Sequence, residues 1–200
     1  MHALIVVSHP LDTSLTHGVA AAIAEGITAA EPAHTFEIAD LTQEGFNPVY
    51  GAADIAAFLK TATVPADILA EQARIDGADA LVLVFPIYWW SMPALLKGWV
   101  DRVFSNGWAY EETADGAVVK KLGHLPVHLV ALGAASKGVY DRHGFTDAFN
   151  AQITHGIFDY CGASVKTSEM LLLPELGEPK AYLDAARQIG HTVFQPAYAE

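Results

Sequence analysis

Three turns in this chain hold residues whose types and spacing could do chemistry. The first is Ser8-His9-Pro10-Leu11-Asp12-Thr13-Ser14-Leu15-Thr16, between a β-branched run, Ala3 to Val7, and an Ala-rich helical stretch to Ala30. The first N–H groups of a helix have no intrahelical acceptor, and the partial positive charge there attracts phosphate. His9, Thr13, Ser14 and Thr16 add side-chain donors, while Asp12 suits an anion only if it turns to solvent. Simple capping of the helix would need just one of Asp12, Thr13 and Ser14. The second turn is Pro86-Ile87-Tyr88-Trp89-Trp90. Consecutive turn residues do not all point into one core, so this aromatic group is expected to offer a flat surface to a ligand. The third is Gly133-Ala134-Ala135-Ser136, continuing to Tyr140. Its small residues allow close backbone approach, and Tyr140 could donate to a developing negative charge.

The elements around these turns alternate. Ala80-Leu-Val-Leu-Val-Phe85 reads as a strand buried on both faces, and it is too short for a membrane span. Ser91 is a candidate N-cap, with Pro93 in the first turn of a helix reaching Phe104. Further strands are expected at Thr35–Ile38, Pro126–Leu132 and within Ala163–Leu173. Helices are expected at Ile55–Lys60, Pro65–Asp76, Asp147–Tyr160 and about Lys180–Val193. Residues 40–53 read as a loop, Ser105–Gly123 as a long excursion, Gly133–Tyr140 as a loop, and the tail to Glu200 as loose. Strands alternating with helices give a parallel sheet with helices on both faces. Five strands favour one flavodoxin-like doubly wound α/β domain over residues 1–200, with strand order 2-1-3-4-5. In that order the first two turns are neighbours at the switch point of the sheet. A phosphate cradle beside an aromatic platform suits a flavin.

Composition narrows the function classes. Two hundred residues, 52% hydrophobic and 17% charged, suit a cytoplasmic globular protein without stable membrane insertion. A net charge of −12 argues against nucleic acid as a partner. The single cysteine, Cys161, rules out an internal disulfide and Cys-pair metal sites, and reads as a small buried hydrophobe. No His-Glu-x-x-His cluster, Walker lysine loop, Gly-x-Gly-x-x-Gly or Gly-x-Ser-x-Gly elbow occurs, so neither a metal site nor an α/β-hydrolase is expected. His17, His34, His124, His128 and His191 read as surface or loop residues.

The chain resembles the NAD(P)H:quinone oxidoreductase family of DT-diaphorase and modulator-of-drug-activity type. His9-Pro10 with Thr13-Ser14 resembles its His-x(3)-Thr-Ser phosphate turn. Asp40-Leu41 with Gly45-Phe46-Asn47-Pro48 resembles its Asp-Leu…Phe-Asn-Pro loop. Asp67-Ile-Leu-Ala-Glu-Gln72 and Phe158-Asp-Tyr-Cys-Gly162 also match. The most specific agreement is Phe85-Pro-Ile-Tyr-Trp-Trp90, Ser91-Met-Pro-Ala-Leu-Leu-Lys-Gly-Trp-Val-Asp-Arg-Val-Phe104 and Gly107-Trp-Ala-Tyr110. The resemblance implies a homodimer binding FAD, or alternatively FMN, with NADH or NADPH as co-substrate and a quinone-like acceptor reduced by ping-pong hydride transfer. It implies His9, Thr13, Ser14, Leu15 and Thr16 at the phosphates and Gln72 reaching toward the cofactor. Pro86, Ile87, Tyr88, Trp89 and Trp90 would lie along the ring, with Gly133, Ala134, Ala135, Ser136 and Tyr140 facing it.

Two departures stand out. Where the family has Thr-Thr-Gly-Gly, this chain has Leu132-Gly133-Ala134-Ala135, so ring contacts there fall to backbone N–H groups, helped by Ser136. Some members carry a histidine six residues after the tyrosine. That position is Thr146 here, and His143 would complete a relay with Tyr140 only if the loop bends differently. Rival readings are an azo- or nitro-reductase, a regulatory flavoprotein subunit of a transporter, and a flavodoxin-type one-electron carrier.

Overall fold

The computed structural model describes residues 1–195, so the last five residues of the tail lie outside the described part. In chain order the elements are β1 (His2–Val7), α1 (Leu15–Ala30), β2 (Thr35–Asp40), α2 (Ala52–Phe58), α3 (Ala66–Asp76) and β3 (Ala80–Pro86). Next come α4 (Ala94–Val103), β4 (Tyr110–Glu112), β5 (Val118–Lys120), β6 (Pro126–Gly133), α5 (Lys137–His143) and α6 (Phe145–Phe149). A π-helical segment (Asn150–Asp159), β7 (Ser164–Leu172), α7 (Leu173–Leu176) and α8 (Pro179–Thr192) complete the chain. Five strands form one parallel sheet in the order β2-β1-β3-β6-β7, the doubly wound arrangement expected from the alternation. Among the described residues no helix is long and apolar enough to cross a membrane.

The period of two along the strands divides the core. Leu4, Val6, Leu81, Leu83, Phe85, Val127 and Leu129 face α3, α4 and the π-helical segment. Ala3, Ile5, Val7, Val82 and Val84 face α1 and α8. Helices α1 and α8 cross at glycines. A methyl group built on Gly26 would fall 2.2 Å from the Arg187 carbonyl oxygen, and one on Gly190 would fall 2.2 Å from that of Ile23. Backbones this close need a residue without Cβ.

Several expectations are corrected. Strand β2 extends to Asp40, so that carboxylate leaves the sheet edge rather than lying in a loop. The excursion after α4 contains the antiparallel pair β4–β5. The loop expected at Gly133–Tyr140 winds into α5 from Lys137, supported by an i,i+4 ion pair of Lys137 with Asp141 at 2.7 Å and ended by Gly144 at φ 68°. The helix expected at Asp147–Tyr160 is α6 continued by a π-helical stretch. The short α7 after β7 had no expectation.

His128 is buried in β6 rather than on the surface. Its Nδ1 meets Thr167 Oγ1 at 3.0 Å and its Nε2 meets the Val193 carbonyl at 3.1 Å. Burial pushes this imidazole down to about 4. The unfolded chain therefore binds a proton at this residue below the ordinary histidine range while the folded chain does not, so stability falls as pH falls. Urea unfolding should find about 2 kcal/mol less stability at pH 5 than at pH 7 from this group. His128→Gln should flatten the slope over that interval, and an unchanged slope would remove His128 as its source.

Candidate functional site

The three turns meet at the carboxyl ends of β1, β3 and β6. Ser8 N–H donates to the Val84 carbonyl at 3.3 Å, and Ile87 N–H donates to that of Leu132 at 2.8 Å. These two bonds tie the first turn to the second strand of the trio and the second turn to the third. Open parallel sheets bind ligands at this edge, where neighbouring crossovers leave in opposite directions.

In the first turn, Ser14 is the N-cap of α1, and its Oγ accepts the His17 N–H at 3.3 Å. The N–H groups of Leu15 and Thr16 have no acceptor among the described residues. His9 Nδ1 lies 3.0 Å from the Leu11 backbone nitrogen and 3.2 Å from the Leu11 carbonyl oxygen, and the tautomer decides which of the two it pairs with. Asp12 is exposed, which removes its objection to an anion. Ser8 and Thr16 are each only 2% exposed, and neither hydroxyl has a hydrogen-bond partner among the described residues. Neither oxygen is among the fully buried unpartnered atoms of the described residues, which are His34 Nδ1 and Thr154 Oγ1, so both hydroxyls reach solvent and are open to a ligand with acceptor oxygens. Ser8, His9, Pro10, Thr42, Tyr88 and Leu95 line a cavity of about 350 Å³ between this turn and the start of α4.

Ser91 is not the N-cap of α4. That position belongs to Pro93. Ser91 instead closes a two-residue hairpin, exchanging N–H···O bonds of 3.1 Å with Tyr88 in both directions, and its Oγ donates to Gln152 Oε1 at 2.7 Å. The residues between them, Trp89 and Trp90, take φ of 50° and 65°. Hairpins of this length favour two left-handed residues, normally Asn-Gly, and a β-carbon in that region costs about 1–2 kcal/mol per residue. Trp90 is held by stacking on Phe145 at 3.9 Å and 12°, and by the edge of Tyr140 at 5.3 Å. Trp89 has no such support and is 93% exposed. Trp89→Gly should therefore raise the thermal midpoint by roughly 2–4 °C, about 1 kcal/mol, while removing one wall of the site. A lower midpoint would show that the turn stores no strain at Trp89.

Ile87, Trp89, Trp90, Ala134, Ala135 and Tyr140 enclose a second cavity of about 190 Å³ beside the first. The N–H groups of Ala134, Ala135 and Ser136 have no acceptor among the described residues. Tyr140 lies in α5 and is 2% exposed. Burial pushes its phenol above the ordinary value, so it keeps its proton and acts as a donor at neutral pH. A methyl built on Gly133 would fall 2.8 Å from the Tyr140 hydroxyl and 2.7 Å from a Leu172 methyl, so a side chain there would displace one or both of those side-chain tips.

Two expected site residues are placed elsewhere. Gln72 is buried on α3, and its Nε2 donates to the Val103 carbonyl at 2.9 Å and to Ser105 Oγ at 3.0 Å. Gln72 therefore ties α3 to the end of α4 and is not among the residues lining the two cavities. His143 is exposed at the end of α5 and makes no hydrogen bond to Tyr140. Its ring stacks on Phe145 at 5.4 Å. Three residues of the region were missed from sequence: Phe145, signalled only by following Gly144; Thr42, with no local signal; and His17. The ring of His17 is held between Ser14 Oγ at 2.8 Å and Asp40 Oδ2 at 2.7 Å, not at the surface. Among the described residues no group of three or more His, Cys, Asp or Glu is set to hold a metal.

Comparison with known proteins agrees with this geometry. A family model described as flavodoxin-like fold matches residues 1–190. An NAD(P)H oxidoreductase of Haemophilus influenzae, itself uncharacterized, is 30% identical over 162 residues, covering 81% of this chain and 79% of that protein. The ribosyldihydronicotinamide dehydrogenase [quinone] of Pongo abelii is 31% identical over 167 residues, covering 78% of this chain and 71% of its own. The solved NAD(P)H:quinone oxidoreductase of Methanothermobacter marburgensis superposes with a TM-score of 0.83 at 26% identity, covering 96% of this chain and 98% of that one.

Proposed function

The chain belongs to the flavodoxin-like-fold family, and on that premise we propose that it is a flavin-dependent NAD(P)H oxidoreductase reducing quinones or similar flat acceptors. The observation that carries this reading is the pair of adjoining cavities at one sheet edge. One is lined by Ser8, His9 and Thr42 from the first turn and the segment after β2, the other by Trp89, Trp90 and Tyr140. The names of the relatives above, NAD(P)H oxidoreductase and quinone-type dehydrogenases, support the same chemistry.

The residues divide the work as follows. Ser8, Thr16 and the free N–H groups at the start of α1 would hold the phosphate end of the cofactor, aided by the helix dipole. Trp89 and Trp90 would present flat surface to the ring. A bound flavin would supply two-electron chemistry between NAD(P)H and the acceptor. The N–H groups of Ala134, Ala135 and Ser136, with the protonated Tyr140, are fixed donors facing the second cavity, placed to meet negative charge without reorganising. His143 takes no part in a relay. FAD is preferred over FMN on the family resemblance. A homodimer belongs to this reading, since a lone chain leaves Trp89 almost wholly exposed beside the ring cavity and a second copy would close it.

Steady-state turnover of NADH and NADPH with a simple quinone tests the proposal. One cavity serving donor and acceptor in turn gives parallel double-reciprocal lines. Absence of turnover with either nucleotide would refute the activity, and intersecting lines would refute the shared cavity.

A further inference from the structure

Phe145 lines neither cavity of the site, yet it makes the closest ring-to-ring contact among the described residues, and makes it with a wall of one of them. Its ring lies nearly parallel to that of Trp90, with centroids 3.9 Å apart and planes 12° from each other. Aromatic pairs more often sit at about 4.5–7 Å, offset or edge-on, so one face of the indole is largely covered. Tyr140 meets the same indole edge-on at 5.3 Å and meets Phe145 at 6.4 Å and 83°. These two rings, five residues apart, reach one partner because Gly144 takes φ 68° between α5 and α6, and Phe145 opens α6. A β-carbon added at Gly144 would find nothing within 4 Å, so the glycine serves the turn and not a close approach. Phe145 is itself held, with the His143 ring stacked on it at 5.4 Å and 24°. The residue that all this fixes, Trp90, has the left-handed φ of 65°. Such residues persist only where their surroundings over-determine them, and they gather at ligand clamps.

We propose that Phe145 is a positioning residue for ring binding: by covering one face of Trp90 it holds the strained indole as a preformed wall, so that a flat ligand meets a fixed surface at Trp90 and an adaptable one at Trp89. The inference rests on the reading that this cavity takes the ring of a flavin. Trp90 and Tyr140 line the cavity of about 190 Å³ and Phe145 does not, so the effect of Phe145 on a ligand passes through those two side chains. Trp89 shares the left-handed backbone of the hairpin, yet it is 93% exposed, and no ring packs on it among the described residues. The two tryptophans therefore carry the same strain with opposite support. A wall ordered before the ligand arrives spares the ligand the cost of ordering it. Phe145 is only partly buried, so filling the core does not account for a ring at this position.

The test is a double-mutant cycle read by the binding of lumiflavin, the ring without ribityl chain or phosphate, to the full-length chain freed of flavin. Phe145→Leu should weaken lumiflavin and FMN by the same factor, roughly 3–10-fold, the loss of one aromatic pair. Phe145→Tyr keeps the stack and should bind both as wild type does. In a Trp90→Leu background, Phe145→Leu should cost nothing further, because the wall it holds is gone. In a Trp89→Leu background it should cost the full factor again. A general loosening of the fold would instead add the same loss in both backgrounds. Should Phe145→Leu not fold, Phe145→Met repeats the cycle. Lumiflavin binding to Phe145→Leu within about twofold of wild type, equal further losses in the two tryptophan backgrounds, or a loss confined to FMN would each overturn the proposal and leave the flavin reading intact. A wild-type chain that binds neither lumiflavin nor FMN would overturn both.

Discussion

Gly26→Ala should lower the thermal midpoint by roughly 6–12 °C, about 3 kcal/mol, the largest single stability effect expected in the chain. The added methyl would meet the Arg187 carbonyl oxygen at 2.2 Å and the Gly190 α-carbon at 3.0 Å. Both are backbone atoms of α8 and cannot rotate away. Relief requires α1 and α8 to separate, which would open the apolar layer formed by Val19, Ile23, Tyr182, Ala186 and Ile189. The control lies on the same helix. At Gly18 the nearest atom to an added methyl is the tip of the Leu183 side chain, at 3.4 Å. Gly18→Ala should leave stability unchanged or raise it by about 0.5–1 kcal/mol through helix propensity. Equal midpoints for the two variants would show that the helices do not cross as described.

The largest functional effect should come from removing two hydroxyls. Ser8→Ala combined with Thr16→Val should weaken flavin binding at least about 100-fold, because each hydroxyl would make a hydrogen bond to a charged phosphate. Neither hydroxyl has a partner within the described protein, so the double variant loses no internal bond and should unfold at the wild-type midpoint. Riboflavin, without phosphate, should bind wild type and variant alike. Flavin affinity within about twofold of wild type would place the phosphate end elsewhere. Equal losses for riboflavin and FAD would show that the substitutions act on the ring and not on the phosphate.

The sheet was legible because its signals are local. Ala80 to Phe85 is an uninterrupted apolar run, and only a central parallel strand buries both faces. The turns were legible for the same reason, as short segments joining a strand to a helix. What was not legible depends on contacts distant in the chain. Ser91 before Met92-Pro93 reads as a helix cap, yet the chain makes a hairpin that tryptophan opposes locally. Phe145 and Gln152, more than fifty residues on, supply the contacts that hold it. Gln72 lies on an amphipathic helix where either face could have met a ligand, and its acceptors on Val103 and Ser105 settle which one it uses. His17 could not be separated from an ordinary surface histidine, because Asp40 lies 23 residues away on another element. Helix α5 is a different case. Its signals were present in Ser136, the Lys137–Asp141 spacing and Gly144, but a run of small residues after a strand is more often an open loop.

The account stands on a flavin held by the two cavities, so the flavin content of the purified protein tests it most directly. The protein, as isolated or after incubation with FAD and FMN, should be yellow. Heating should release close to one flavin per chain, with the mass of FAD or of FMN. A colourless protein that retains neither flavin after incubation would contradict the assignment of the cavity at Ser8 and the aromatic cavity at Trp89 and Trp90.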